Sequence, residues 1–290
     1  MDLFFNSDDR KVAVVTGSNK GIGLAIVKGL CSKFPGEVYL TARNVENGLN
    51  AVKSLYKQGF HPKFHHLDVT NYESILKLKR HLEESYGGLD ILINNAAIGY
   101  PHLSDVPFHI QVKETLAVNY FGLRDVCNVL FPILRPHARV VNLSSSQAAI
   151  KNIPGECIKE RLSSDDLTEA ELSKLMESFL IAAQRGAHKE EGWPDDSYAV
   201  SKVAVNALTR IQQREFLLDE DREGIVVNAV HPGQIATDLT RYKGYQNTTQ
   251  GAQIPLYAAL LPKNVVQPIG SFIWWNKQIV DWINGPIPLI

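Results

Sequence analysis

Two groups of residues offer chemistry in this chain. Tyr198 and Lys202 stand four apart in Ser197-Tyr198-Ala199-Val200-Ser201-Lys202. At that spacing on a helix they share one face. A free phenol ionises near pKa ~10 and is a weak acid at neutral pH; an ammonium one turn away favours the phenolate and lowers that value. The second group is Thr16-Gly17-Ser18-Asn19-Lys20-Gly21-Ile22-Gly23. It follows Val12-Ala13-Val14-Val15, an apolar run of the kind found in a strand buried on both faces. Ile22, Ile26 and Leu30 then recur at helical spacing. Strand, glycine turn and helix in that order make a phosphate cradle, because glycine lets the backbone turn sharply and lets a pyrophosphate approach the free N–H groups of the helix start. The spacing G-x-x-x-G-x-G is not the more familiar G-x-G-x-x-G, so the stretch by itself also reads as a tight turn without a ligand.

These residues need strands that end beside one another. Val38-Tyr39-Leu40 predicts a second strand, tipped by Thr41-Ala42-Arg43. In a doubly wound sheet that tip meets the adenosine ribose, where an acidic residue would bind the free 2′-hydroxyl of NAD. Arg43 at the tip and Lys20 in the loop suit the 2′-phosphate of NADP instead; taken singly, either reads as a solvated surface charge. Phe64–Val69 predicts a third strand, with Asp68 placed to accept from an adenine amino group. Thr70 and Glu73 form a capping box before a helix face of Ile75, Leu78 and Leu82, ended by Gly87-Gly88. A fourth strand from Leu89 ends in Asn94-Asn95-Ala96-Ala97, whose amides pin neighbouring backbone or simply form a turn. The following helix spans Glu114–Leu130 and holds Asn119, a poor helix former, in its middle. A fifth strand, Arg139–Ser146, is tipped with hydroxyls. A sixth, Gly224–Val230, leads into His231-Pro232-Gly233-Gln234-Ile235-Ala236-Thr237-Asp238, a loop able to offer backbone groups to a carboxamide. A last strand is expected over Ile269–Trp275.

The composition bounds the answer. At 290 residues and 44% hydrophobic the chain can bury a large core, and the order of its motifs favours one domain over 1–290. A net charge of −1, with Lys and Arg scattered, gives no electrostatic case for nucleic acid or an anionic membrane. Cys31, Cys127 and Cys157 are odd in number and widely spaced, which fits a reducing compartment. His65 and His66 lack further ligands at metal spacing, so no metal is expected. Met1–Asn6 lacks a basic region and an apolar run, so no secretory leader is read there; no apolar stretch is long enough to span a bilayer. The expectation is a cytoplasmic protein.

Taken together, Thr16–Gly23, Asn94-Asn95-Ala96, Asn119, Ser145, Tyr198-x-x-x-Lys202 and Pro232-Gly233 resemble the classical short-chain dehydrogenase/reductases, in the family's order and over nearly the whole chain. Within that family the chain is similar to the animal NADPH-dependent carbonyl reductases. The likeness runs through Asn19–Val27, Leu40-Thr41-Ala42-Arg43, Tyr86–Asp90, Pro107–Gln111 and Glu191-Gly192-Trp193. The wide separation of Ser145 from Tyr198 is shared too. The segment 148–196 holds a capping box, Thr168-x-x-Glu171, then Leu172, Leu175, Met176, Phe179 and Leu180 on one helix face. The resemblance implies a helical insertion over the surface that other members use to dimerise, hence a monomer; a partner-binding amphipathic helix is the other reading. Plant-type reductases with a similar insertion are also neighbours.

The resemblance implies an α/β doubly wound parallel sheet, Rossmann-like, with one NADP-binding domain. It implies reduction of ketones, aldehydes or quinones with NADPH. Tyr198 is then the proton donor, and Lys202 lowers its pKa and binds the nicotinamide ribose. Ser145 polarises the substrate oxygen, and Asn119 holds a water that resupplies protons. The cofactor set it implies is Gly17, Asn19, Lys20, Gly21, Ile22, Gly23, Arg43, Asp68, Val69, Asn95, Ala96, Tyr198, Lys202, Pro232, Gly233, Ile235 and Thr237. The substrate pocket is expected from Ser145, Trp193 and Gln234, with Ile98–His102, Ser145–Ile150 and the loop around Thr240–Thr248. Three residues depart from the family pattern: Ala97 for a glycine, Gln234 for an aromatic, and His231 for a small residue or cysteine. Alternatives are an alcohol or steroid dehydrogenase of the same family and a non-catalytic NADP-binding sensor. The tail from Trp274 to Ile290 has three open readings: it covers the pocket, docks on the body, or touches a membrane.

Overall fold

The computed structural model describes residues 10–101 and 104–288. Met1–Asn6 and His102 of the expected pocket lie outside them. Seven strands form one sheet: β1 Lys11–Val15, β2 Gly36–Ala42, β3 Lys63–His66, β4 Leu89–Asn94, β5 Leu134–Leu143, β6 Val226–Val230 and β7 Phe272–Ile273. Their order is β3-β2-β1-β4-β5-β6-β7, and every neighbouring pair is parallel. The alternation of a strand explains why both faces are covered. Val12 and Val14 enter one core cluster, Ala13 and Val15 the other. The helices sort accordingly. α1 Gly21–Lys33 and α2 Val45–Tyr56 pack on the Ala13 side through Ile26, Val27, Leu30, Val52 and Leu55. α3 Tyr72–Tyr86, α4 Phe108–Leu116 and α5 Leu123–Leu130 pack on the Val12 side. The winding reverses between β1 and β4, so their carboxyl ends open a crevice at the switch point.

Several boundaries differ from the sequence reading because side chains take over backbone groups. β3 stops at His66; beyond Leu67 the Asp68 N–H goes to Ser74 Oγ at 3.0 Å. Asp68 Oδ1 accepts both the N–H and the hydroxyl of Thr70, at 2.9 and 2.7 Å. Thr70 is therefore not the helix cap. Asn71 is, its side chain accepting from Ser74 N. β5 starts earlier than expected and ends at Leu143, where Lys202 Nζ takes the carbonyl. β6 starts at Val226 because Gln213 claims the Ile225 carbonyl. β7 shrinks to two residues because Asn228 holds the Pro268 carbonyl and the Ser271 N–H. The helical run through Asn119 is continuous from Phe108, but Ala117–Gly122 is a π turn between α4 and α5.

The long segment before Tyr198 carries α6 Glu156–Ser163 and α7 Glu169–Gln184, followed by α8 Ser197–Leu217. The Thr168–Glu171 capping box forms on α7. Leu172, Met176 and Phe179 are fully buried in the main core, with Leu175 and Leu180 packed against it. The apolar face of α7 is thus used inside the chain rather than left for a partner. The tail docks as well: Trp274, Val280 and Trp282 are buried, while Trp275 stays 41% exposed. No helix among the described residues is long and apolar enough to cross a membrane. Phe179 lies 5.0 Å from the Trp193 ring and 6.2 Å from that of Phe108. Phe179→Ala is expected to lower unfolding stability by about 3–5 kcal/mol in denaturant titration; a loss below about 1 kcal/mol would mean that this face is not a core.

Candidate active site

A cavity of about 1080 Å³ opens at the carboxyl ends of the strands. Gly17, Lys20, Gly21, Ile22 and Gly23 line one end, and Ser145, Tyr198 and Lys202 the other. The glycine loop is shaped by backbone torsions and close approach. Gly17 and Gly21 have φ of 58° and 60°, in the left-handed region that favours glycine. A Cβ on Gly17 would sit 2.9 Å from Ala96 Cα, and one on Gly23 2.5 Å from Asn95 Nδ2. The loop is pinned from both sides. Ser18 Oγ donates to the Val15 carbonyl at 2.8 Å and accepts from Thr41 N at 3.1 Å. Asn95 Nδ2 donates to the carbonyls of Thr16 and Gly17, each at 2.9 Å. Asn94 instead bonds Asn142 Oδ1 and the Cys127 sulfur, bracing strand against strand rather than pinning backbone. Lys20, the N-cap of α1, supplies no side-chain acceptor to the helix start. The first N–H groups of α1 therefore face the cavity end without a cap, the arrangement that receives an anion.

The other end is built from α8, the end of β5 and the π turn. Asp196 caps α8 by accepting from Ala199 N. One turn in, Lys202 is buried and donates to the Leu143 carbonyl at 2.7 Å. Its Nζ lies 5.5 Å from the centre of the Tyr198 ring. Burial pushes the Lys202 pKa down to about 7. Burial also pushes the Tyr198 phenol up to about 12, against the pull of the Ser145 hydroxyl in the opposite direction. Desolvation is the largest cause, the neighbouring lysine is not among the causes, and the phenol keeps its proton at neutral pH. Ser145 Oγ accepts the Gln147 N–H at 3.2 Å, which leaves its hydrogen free to donate.

Asn119 sits in the π turn, buried. Its Oδ1 accepts from Ile98 N, and its Nδ2 donates to the Ile98 carbonyl and to Ser201 Oγ. Both amide hydrogens are thus used within the protein. Ser201 Oγ in turn donates to the Tyr198 carbonyl at 2.7 Å. Asn119 fixes the 98–99 segment against the catalytic end: a Cβ on Gly99 would lie 3.1 Å from both Tyr198 Cδ2 and Leu239 Cδ1. A π turn at a functional site is a frequent use of that strained geometry.

The remaining candidates divide. Pro232, Gly233, Gln234, Ile235 and Thr237 line the cavity, Asn95 among them from the opposite wall. Asn19 and Ala96 flank it, half-buried. Arg43 is exposed just beyond β2, off the cavity lining. Asp68 spends one carboxylate oxygen on Thr70, and Val69 is buried against Gly122. Trp193 does not line the cavity; it is a core residue stacked on Phe179. Sequence spacing could not separate those two roles, because an aromatic in an insertion suits either. Lys20 pairs with Asp238 across the mouth, a contact that no local pattern announces. Ser201, within the Tyr198–Lys202 turn, and the Gln147 amide were also not singled out. Among the described residues no group of three or more His, Cys, Asp or Glu could hold a metal ion.

Lys202 gives a pH signature. Its folded pKa lies below the usual lysine value, so between pH 7 and about 10.5 the unfolded chain holds the extra proton and stability rises with pH. Lys202→Met lacks this contribution. The thermal midpoint of wild type minus Lys202→Met is expected to increase from pH 6.5 to 9.5 by roughly 2–4 °C per kcal/mol regained; a flat difference would show that the ammonium is not desolvated.

A family model described as short chain dehydrogenase matches residues 11–157. "Carbonyl reductase [NADPH] 1" of Rattus norvegicus is 44% identical over 278 residues, covering 95% of this chain and 100% of that protein. The protein of the same name from Homo sapiens is 44% identical over 275 residues, covering 93% and 98%. Among solved structures, salutaridine reductase from Papaver somniferum superposes with a TM-score of 0.82 at 30% identity, over 91% of this chain and 99% of that one.

Proposed function

We propose, from the premise that this chain belongs to the short-chain dehydrogenase family, that it is an NADPH-dependent carbonyl reductase acting on small ketones, aldehydes or quinones. The observation that carries this reading is a single cavity with an uncapped helix start and glycine loop at one end and Ser145, Tyr198 and Lys202 at the other. The residues present fit the dinucleotide: the glycines let the loop pack on Ala96 and Asn95, where a Cβ would collide, and the start of α1 beside the cavity has no side-chain cap. Gly17, Gly21 and Gly23 would hold the pyrophosphate, and Lys20 and Arg43 the 2′-phosphate. Lys202 would bind the nicotinamide ribose hydroxyls, and the 232–237 backbone the carboxamide.

When bound, NADPH supplies the hydride that reaches the carbonyl carbon. The chain supplies the proton and the orientation. The Ser145 hydroxyl donates to the carbonyl oxygen, its own oxygen already held by Gln147 N–H. Tyr198, protonated in this cleft, gives its proton to the same oxygen. The charge left on the phenolate is stabilised by the Lys202 ammonium, 5.5 Å from the ring. Gly99 and Leu239 shape the wall above Tyr198.

The insertion supports a monomer, because the apolar face of α7 is spent on the chain's own core. Cys31, Cys127 and Cys157 are free, which supports the reducing cytoplasm as its compartment. Absorbance at 340 nm with a panel of ketones, aldehydes and quinones tests the reading, and NADPH binding without consumption would point to a sensor instead. Tyr198→Phe is expected to keep NADPH affinity and lose about a hundred- to ten-thousand-fold in kcat; a near-normal rate would remove the assigned acid. Arg43→Asp is expected to weaken NADPH by about ten- to a hundred-fold and NADH far less, since only the phosphate loses a charged partner. Equal losses in a fluorescence titration would refute that contact.

A further inference from the structure

His231 follows β6 directly, and its side chain is buried. Nδ1 of the ring accepts the backbone N–H of Ser146 at 3.1 Å. A backbone amide only donates, so Nδ1 is the bare nitrogen and the ring proton sits on Nε2. The ring is braced. Trp274 packs on it with centroids 4.3 Å apart, and the His231 N–H is held by the Ile273 carbonyl at 2.8 Å. Trp274 is itself fully buried, and its backbone N–H donates to the Gln278 carbonyl at 2.7 Å. Burial pushes the His231 pKa down to about 4, so the acceptor nitrogen persists at neutral pH.

The peptide this bond holds is the one that joins Ser145 to Ser146. Its N–H is taken by His231, and its carbonyl accepts the Ala148 N–H at 3.0 Å. Both polar ends of that peptide plane are therefore anchored. Anchoring them fixes the backbone torsion on the carboxyl side of Ser145, which sets where the Cβ–Oγ bond points. One residue earlier, Ser144 N donates to the Val230 carbonyl, so β6 and its successor hold both sides of Ser145.

We propose that His231 is a positioning residue for Ser145: by accepting the Ser146 N–H, and braced by Trp274, it aims the serine hydroxyl at the substrate carbonyl oxygen. The proposal rests on the reductase reading above, in which Ser145 polarises that oxygen. It gives the C-terminal segment a role in catalysis through His231, and it gives Trp274 and Trp275 different tasks, the first inside the support and the second at the surface.

The test uses the full chain with His231→Leu, which fills the space without an acceptor, and His231→Asn, whose amide oxygen can stand near the place of Nδ1. His231→Leu is expected to lower kcat with a quinone about tenfold, the loss of roughly 1.4 kcal/mol of orientation. NADPH affinity should stay unchanged, and hydrogen exchange at the Ser146 amide should accelerate. His231→Asn should recover both the rate and the protection. Unchanged kcat and exchange in His231→Leu would overturn the proposal. So would a lost rate that His231→Asn leaves lost while restoring amide protection. If His231→Leu does not fold, Trp274→Leu keeps the acceptor and removes its brace; the same two readouts should move by less, and their staying fixed overturns the proposal. The exchange arm needs no turnover. Failure of the reductase reading, seen as no NADPH consumption by wild type, is thereby told apart from failure of this inference, seen as an unmoved Ser146 amide.

Discussion

The ammonium of Lys202 is buried and donates to a backbone carbonyl, that of Leu143. That arrangement is expensive, and it governs the chemistry around it. The same loss of solvent that drags the lysine down to about 7 lifts the Tyr198 phenol to about 12. A phenol that holds its proton, beside a cation ready to stabilise what remains once the proton leaves, is the pairing a reductase needs. The two pKa values are moved apart by one cause. Neither residue alone would be set for the task.

The rest of the fold keeps that pair in place. α8 carries both groups one turn apart, and the end of β5 offers the Leu143 carbonyl where the ladder stops. Asn119, lodged in a π turn, reaches the 98–99 segment and Ser201. Ser201 ties back to the Tyr198 carbonyl, so helix and loop share one polar network. On the far side of the crevice, Asn95 and Thr16 tie β4 to the glycine loop, which places the phosphate end at a fixed distance from the catalytic end. Function here is a matter of where parallel strands end: the glycine loop, Asn95, Ser145 and the 231–237 loop lie just past their carboxyl ends, and α8 brings Tyr198 and Lys202 to them.

The insertion and the tail reinforce the scaffold rather than decorate it. α7 buries Leu172, Met176 and Phe179 against α4 and α8, the helices that carry or flank the catalytic groups. The tail inserts Trp274 beneath His231, next to the Ser145 turn. Both are far from the site along the chain and close to it in space.

Much was legible in the residues themselves. Continuous apolar runs, glycines at Gly17, Gly21 and Gly23, and the Tyr198–Lys202 spacing are local, and local pattern decides strand, turn and helix face. The capping box at Thr168 was legible for the same reason, and the one read at Thr70 was not formed, because Asp68 competes for that hydroxyl over a shorter loop. What only the tertiary structure decided is how desolvation falls on each group and which distant partner it meets. Trp193 became core rather than pocket, the phenol rose rather than fell, and Lys20 found Asp238. Burial and long-range pairing depend on the whole packed assembly, and no window along the chain contains them.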